Sequence, residues 1–357
     1  MNRRGYIDWL RGVAVLIMIE AHTLDAWTRV ADRSSAYRWA MVLAGYGAPF
    51  FLFLAGIGLA LGAGSRQRKG LPDHEIASAS LRRGAQIFAF AFLFRAQAWL
   101  ISGGTLRNFL KVDILNIMGL SLMAGAVIWA WGRSRPVRIV ALLAAAVVCT
   151  MATPLVRSSE LLNAWPEAVV SYVRPVPGRT TFTLFPWAGF LLAGAAAGLW
   201  LDGVRSSLGE RSACLSLGAL GLVIGVAGYG ASYLPSLCAH SEFWTSSPTY
   251  FFVRLGILLL LMPIAYGWSA VWRDRWSPLQ EFGRSSLFVY WIHVELVYGG
   301  ISRGIHKALS FETALAGFVL FTVFMFLLTV AKNRITQWWK GDRDVQPTEF
   351  SPAGRGA

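Results

Sequence analysis

Ile7-Asp8-Trp9-Leu10-Arg11-Gly12-Val13-Ala14-Val15-Leu16-Ile17-Met18-Ile19-Glu20-Ala21-His22-Thr23-Leu24-Asp25 is the stretch on which the fold turns. It is apolar over about the 20 residues a helix needs to cross a bilayer. Yet Arg11, Glu20, His22 and Asp25 sit in or beside the run. Ionisable groups are costly in hydrocarbon, so they face a bundle interior, a water cavity or a reaction site. Arg11 and His22 are eleven residues apart, roughly three full helical turns, and share a face. His22 and Asp25 stand at i,i+3 and can touch. One face is therefore expected to carry a fixed cation at one end and an imidazole beside a carboxylate at the other. A carboxylate orients an imidazole and supports its charged form, as a general base requires. His22 and Asp25 are the candidate catalytic pair. Glu20 is offset by roughly 200° from His22 and faces elsewhere, with Arg95 its expected structural partner.

The rest of the chain repeats the apolar pattern. Of its 357 residues, 55% are hydrophobic and 15% charged, and the mean hydropathy is +0.50. A soluble domain would be near 25% charged. The expected fold is all-α, a polytopic membrane helical bundle of about ten transmembrane helices. The apolar blocks fall at 9–28, 40–63, 84–102, 112–132, 137–156, 181–201, 213–234, 249–271, 285–303 and 311–331. Arg95 interrupts the third, and Asp113 with Asn116 the fourth. A single transmembrane domain over 1–335 and a polar cytoplasmic tail over 336–357 follow, with fraying expected from Lys332 onward.

Charge gives direction. The 33 basic and 19 acidic residues leave a net +14. In this setting the excess is expected in loops that fix orientation and touch anionic lipid, not on nucleic acid. The loops on the N-terminal side hold about twice the Lys and Arg of the opposite set, so both termini are expected in the cytoplasm. His22, Asp25, Asp113, Asn116, Arg254, His240, His293 and Glu295 then gather in the outer half of the bundle. Trp165, Tyr172, Trp187 and Trp244 lie near the outer surface, where an interfacial aromatic belt is expected. Cys149 and Cys214 read as small core residues, and with Cys238 they show no metal-ligand or disulfide spacing. No signal-peptide cleavage site follows the first helix, which is expected to be retained. Gly56-Ile57-Gly58 reads as close helix packing. There is no Walker loop and no Rossmann fingerprint.

Four pieces together resemble a known family: Ile7-Asp8-Trp9-Leu10-Arg11-Gly12 followed by His22; Ala48-Pro49-Phe50-Phe51-Leu52-Phe53-Leu54-Ala55-Gly56; Phe185-Pro186-Trp187; and Gly283-Arg284-Ser285-Ser286-Leu287. In this order they resemble bacterial heparan-α-glucosaminide N-acetyltransferase-like membrane proteins. The Arg11-to-His22 spacing is also similar to that of the broader acyltransferase-3 membrane proteins. The resemblance implies an acyltransferase of the bacterial inner membrane. Acetyl-CoA or another acyl-CoA is its cosubstrate, and no cofactor is permanently bound. The acceptor is an external saccharide or glycan amine or hydroxyl, and the lipid bilayer and a second copy in a homodimer are further partners. By analogy His22 is the essential histidine. Lysosomal members carry Asn at that position and a catalytic histidine in the following loop. Here residues 28–39 hold no histidine, so that mechanism does not transfer in detail.

The expected chemistry is direct attack of the acceptor on the thioester, with His22 removing a proton. Arg11, Arg66, Arg68 and Lys69 are expected to hold the donor phosphates. Asp113, Asn116, Arg254 and His293 are expected to bind substrate, with Asn116 or Arg254 facing the oxyanion. A proton-coupled transporter of a small polar solute is the alternative, since buried Arg, Glu and His also serve proton relays.

Overall fold

The computed structural model describes residues 4–102, 109–204, 206–236, 241–272 and 276–341. His240 and Cys238 lie outside the described residues. The α-helices are α1 (Gly5–Trp27), α2 (Ser35–Ala44), α3 (Gly47–Arg68), α4 (Asp73–Ser102), α5 (Ile114–Trp131), α6 (Arg135–Met151), α7 (Thr153–Ser158), α8 (Glu167–Val173), α9 (Leu184–Asp202), α10 (Ser207–Ala231), α11 (Pro248–Val271), α12 (Pro278–Arg284), α13 (Ser286–Tyr298) and α14 (Phe311–Gly341). Among the described residues the only extended pairings are two single bridges, Thr28 with Leu309 and Val112 with Thr180. The chain is a helical membrane protein. Six segments are long and apolar enough to cross a bilayer by length and composition: α2 and α3 together, α5, α9, α10, α11 and α14. The ten apolar blocks outnumber these six. α1 carries Asp8, Arg11, Glu20 and Asp25, while α6 and α13 have 17 and 13 residues.

The centre of the bundle is α9, whose face from Ala188 to Leu199 is buried throughout. Its small residues let α3 approach backbone to backbone, the packing that substitutes for hydrophobic drive inside lipid. A Cβ on Gly56 would fall 1.9 Å from the Leu191 carbonyl oxygen, and one on Gly194 2.0 Å from that of Phe53. The close approach expected of Gly56 is present, directed at α9. Gly56→Val is expected to lower stability by about 1–3 kcal/mol, read as a lower melting midpoint in detergent. Gly230→Ala, with open space around its Cβ position, is the control and should melt like wild type.

α1 packs on the opposite side of α3, and the contacts fix their relative direction. Gly47 lies against Ile17 and Met18, whereas Gly58 lies against the Arg11 guanidinium. The two helices are therefore antiparallel, and the end of α3 carrying Arg66 lies beyond Arg11. α12 closes on α1 at this end, with Gly283 against the Asp8 carbonyl and Gly12 against that of Leu279.

Three boundaries differ from the sequence reading. α4 runs unbroken through Arg95 because its guanidinium is paired: Nη2 donates to Asp113 Oδ2 at 2.9 Å. Arg95 thus binds Asp113, not Glu20. The fourth block begins at Ile114, with Asp113 as the N-cap of α5. Finally, α14 continues to Gly341, past the expected boundary at 335. Lys332 Nζ donates to Asn333 Oδ1 at 3.0 Å and to Ser285 Oγ at 3.3 Å, so the helix is anchored at the point where fraying was expected to begin, while residues 334–339 are exposed. Both described cysteines are free, Cys214 buried and Cys149 half-buried.

Candidate active site

The bundle holds an open cavity of 1740 Å³ that touches α1 at Arg11, Met18, Ala21, His22 and Asp25. Fourteen residues separate the first from the last, so the cavity follows the helix for about 21 Å. At the Arg11 end its wall includes Arg66, Arg82, Arg83, Arg284 and Lys332. At the Asp25 end it includes Arg95, Lys111, Asp113, Trp187, Trp244, Tyr250, Arg254 and Glu295.

His22 lies between these ends. Its Nδ1 is 2.7 Å from Nε2 of His293, and the rings are parallel to within 1° with centroids 5.0 Å apart. That separation, with the two nitrogens in hydrogen-bond contact, places the rings edge to edge in one plane, not face on face. His293 is fully buried, and its Nδ1 is 2.8 Å from the Val289 carbonyl oxygen. A carbonyl only accepts, so His293 Nδ1 carries a proton. In the neutral ring Nε2 must then accept, and His22 Nδ1 donates to it. The hydrogen-bond network thus assigns the basic lone pair of the pair to His22 Nε2. Tyr298 covers the His22 ring edge-on at 5.5 Å.

This differs from the expected imidazole–carboxylate pair. The described hydrogen bonds to Asp25 come from Arg33, whose Nη2 lies 3.2 Å from Oδ1 and 3.1 Å from the backbone oxygen. Asp25 lines the cavity as a partner of Arg33, and the imidazole bonded to His22 is His293. Spacing along one helix favoured Asp25. The true neighbour is 271 positions away, and no local pattern could reveal it.

The remaining expected residues divide. Arg11 lines the cavity and pairs with Asp8, Nη1 to Oδ1 at 3.4 Å. Asn116 is not part of the wall. Its Oδ1 accepts from the Asp113 backbone N–H at 3.0 Å, completing a capping box, and its Nδ2 points to Tyr172 Oη at 3.5 Å. A capping box satisfies helix-end donors, so Asn116 is held at the start of α5. Asp113 reaches the wall but is bound by Arg95 and by the Leu115 N–H. Arg68 is committed to Asp202, which also takes Arg135, and so does not join Arg66 at the mouth. Arg254 does reach the cavity. Its Nη2 donates to Tyr250 Oη at 2.8 Å, and its guanidinium lies 3.9 Å from the Tyr250 ring centroid and 5.9 Å from those of Tyr46 and Trp187.

Sequence reasoning did not single out Arg82, Arg83, Arg284 or Lys332 at the first mouth, or Tyr46 and Tyr250 beside Arg254. Arg82-Arg83 entered only as loop charge, although a basic pair directly before an apolar run was visible. Tyr250 stands at i,i+4 to Arg254, a spacing at which side chains meet. Lys332 gave no pattern to follow.

A helical membrane bundle holding a large cavity, with His22 in its wall and His293 hydrogen-bonded behind it, belongs to the class of polytopic membrane proteins with a candidate site within the span. The model of the heparan-alpha-glucosaminide N-acetyltransferase catalytic domain matches residues 3–228, well over half of the chain, and the chain belongs to that family. It is thus a membrane protein of an N-acetyltransferase family. The matched region holds Arg11, His22 and Arg66, whereas Arg254 and His293 come from helices beyond it. No curated protein matches the chain.

Proposed function

We propose that the protein moves an acetyl or other short acyl group from cytoplasmic acyl-CoA to a saccharide amine or hydroxyl outside the membrane. The observation that carries this reading is the cavity itself, which runs beside α1 from a cluster of arginines, past His22, to an aromatic and cationic end. Such a passage lets a donor and an acceptor from opposite faces meet at one imidazole.

In this reading the Arg11 end is cytoplasmic, as the excess of Lys and Arg in its loops supports. Both termini lie inside, ten helices cross the bacterial inner membrane, and residues beyond α14 form a cytoplasmic tail. Arg66, Arg82, Arg83 and Arg284 supply guanidinium forks for the donor's phosphates. The pantetheine arm extends along α1 and brings the thioester to His22. Nε2 of His22 takes a proton from the acceptor as its nitrogen or oxygen bonds to the acyl carbon. The carbon–sulfur bond then breaks, His22 Nε2 passes its proton to the CoA sulfur, and the free thiol leaves toward the cytoplasm. His293 holds the His22 Nδ1 proton throughout and acts as a positioning residue.

The test uses purified protein, labelled acetyl-CoA and a panel of amino sugars. Transfer of label supports the reading. Solute flux in liposomes without acyl-CoA, together with failure to bind acyl-CoA, would replace it with transport. Removing charge at the donor mouth in Arg66→Gln/Arg83→Gln is expected to raise the KM for acetyl-CoA roughly tenfold or more, most at low salt. An unchanged KM would move the phosphates elsewhere.

A further inference from the structure

We infer that Arg254 is the receptor for a negatively charged group on the acceptor, so that the sugar acylated by this protein is an acidic one. This rests on the acyl-transfer reading and narrows its substrate class.

Arg254 stands in the wall of the cavity near His22. A Cβ on Gly45 would lie 3.1 Å from its Nη2, and Gly47, two residues on, packs against Met18, one turn before His22. Its guanidinium is always charged. Yet its partners are uncharged: one tyrosine hydroxyl and three aromatic faces, from Tyr46, Trp187 and Tyr250. Its Nε is buried with no hydrogen-bond acceptor. The acids lining this end do not neutralise it. Asp25 is bound by Arg33 and Asp113 by Arg95, and Glu295 makes no ion pair with Arg254.

A half-buried cation that faces a cavity within a membrane protein, with no acid beside it, favours a ligand that brings a counter-charge, and ring faces replace only a part of one. The donor does not supply it, because its phosphates are assigned to the arginines beyond Arg11, at the opposite end of the cavity. The missing anion is therefore carried by the other reactant. The surroundings fit a sugar, since Trp187 and Trp244 offer flat apolar faces beside the charge. A carboxylate or a phosphate matches the guanidinium fork equally well.

The test compares three acceptors of one amino-sugar scaffold with acetyl-CoA as donor: glucosamine, muramic acid with its carboxylate, and glucosamine 6-phosphate. Wild type is expected to use at least one acidic acceptor with kcat/KM tenfold or more above glucosamine. In Arg254→Gln that preference should vanish through the acceptor KM, with the KM for acetyl-CoA unmoved. Preference for muramic acid assigns a carboxylate, and preference for the phosphorylated sugar assigns a phosphate. Equal use of all three by wild type, or a preference that survives in Arg254→Gln, overturns the inference. If no acceptor is acylated, calorimetric binding of the same sugars decides separately. Selective binding of an acidic sugar lost in Arg254→Gln keeps the anion site while the acyl-transfer reading falls. Equal binding of all three sugars removes the site as well. Should Arg254→Gln fail to fold, the wild-type preference must weaken steeply with added salt, and a salt-independent preference would count against the ion pair.

Discussion

Replacing His22 with alanine is expected to lower acetyl transfer by about 10²–10⁴-fold, the usual contribution of a positioned general base. The loss should fall on kcat. With the donor phosphates assigned to Arg66 and Arg83 at the Arg11 end of the cavity, eleven residues along α1 from the imidazole, acetyl-CoA should still bind with wild-type affinity. This separation makes the result interpretable: a variant that still binds donor but no longer transfers has lost chemistry, not shape. Radiolabelled transfer alongside calorimetric donor binding measures both. Undiminished transfer by His22→Ala would take the imidazole out of the reaction.

The second large effect concerns the partner ring. His293→Leu keeps the volume and removes the acceptor for the His22 Nδ1 proton. His22 can then rotate or switch tautomer, and a loss of about 10²-fold in kcat is expected, toward the lower end of the general-base range. His293→Gln places an amide oxygen where the acceptor nitrogen stood and should recover most of the rate. A merely structural histidine would give the opposite ordering, since an amide in this fully buried position is less welcome than leucine. The pH–rate profile adds a second readout. The groups facing the pair are Tyr298 against His22, Tyr290 at 6.0 Å from His293, and Asp25 and Glu295 on the same wall. If His293 governs the basicity of His22, the acidic limb shifts in His293→Leu and returns in His293→Gln. Two variants equally impaired, with superimposable profiles, would reduce His293 to packing.

The helical membrane architecture was legible because it rests on a property that adds along the chain. Blocks of about 20 apolar residues need no tertiary knowledge to be recognised. The polar set of α1 was legible for the same reason, since Arg11, His22 and Asp25 share a face by arithmetic. What could not be read was which distant group each would meet. Glu20 and Arg95 looked like a natural pair, yet Arg95 took Asp113, whose carboxylate was already fixed by capping α5. Asn116 looked like a substrate contact because it is polar in an apolar block, but helix-end donors claimed it first. Asp25 was near His22 in sequence and went to Arg33. Only the Asn116 bond is local to its helix; Arg95 found its carboxylate on the next helix and Asp25 its guanidinium in the following loop. Arg254 reaches the cavity, whereas His293 is fully buried behind His22 and outside the cavity wall, and each is bonded one turn back on its own helix, to Tyr250 and to Val289.

The placement of fixed cations at both ends of the cavity bears on how a membrane tolerates such a hole. A cavity about 21 Å long beside α1 thins the apolar barrier that a bilayer otherwise presents to small ions. Arg66, Arg82, Arg83, Arg284 and Lys332 give one end of the wall an excess of positive charge, whereas at the other Arg95, Lys111 and Arg254 share the wall with Asp25, Asp113 and Glu295. Hydronium and sodium are repelled by such an excess of positive charge while anions are drawn in. Under the proposed function, the arginines that hold the donor would also turn small cations away, and neutralising several of them together is expected to raise cation leak through the protein.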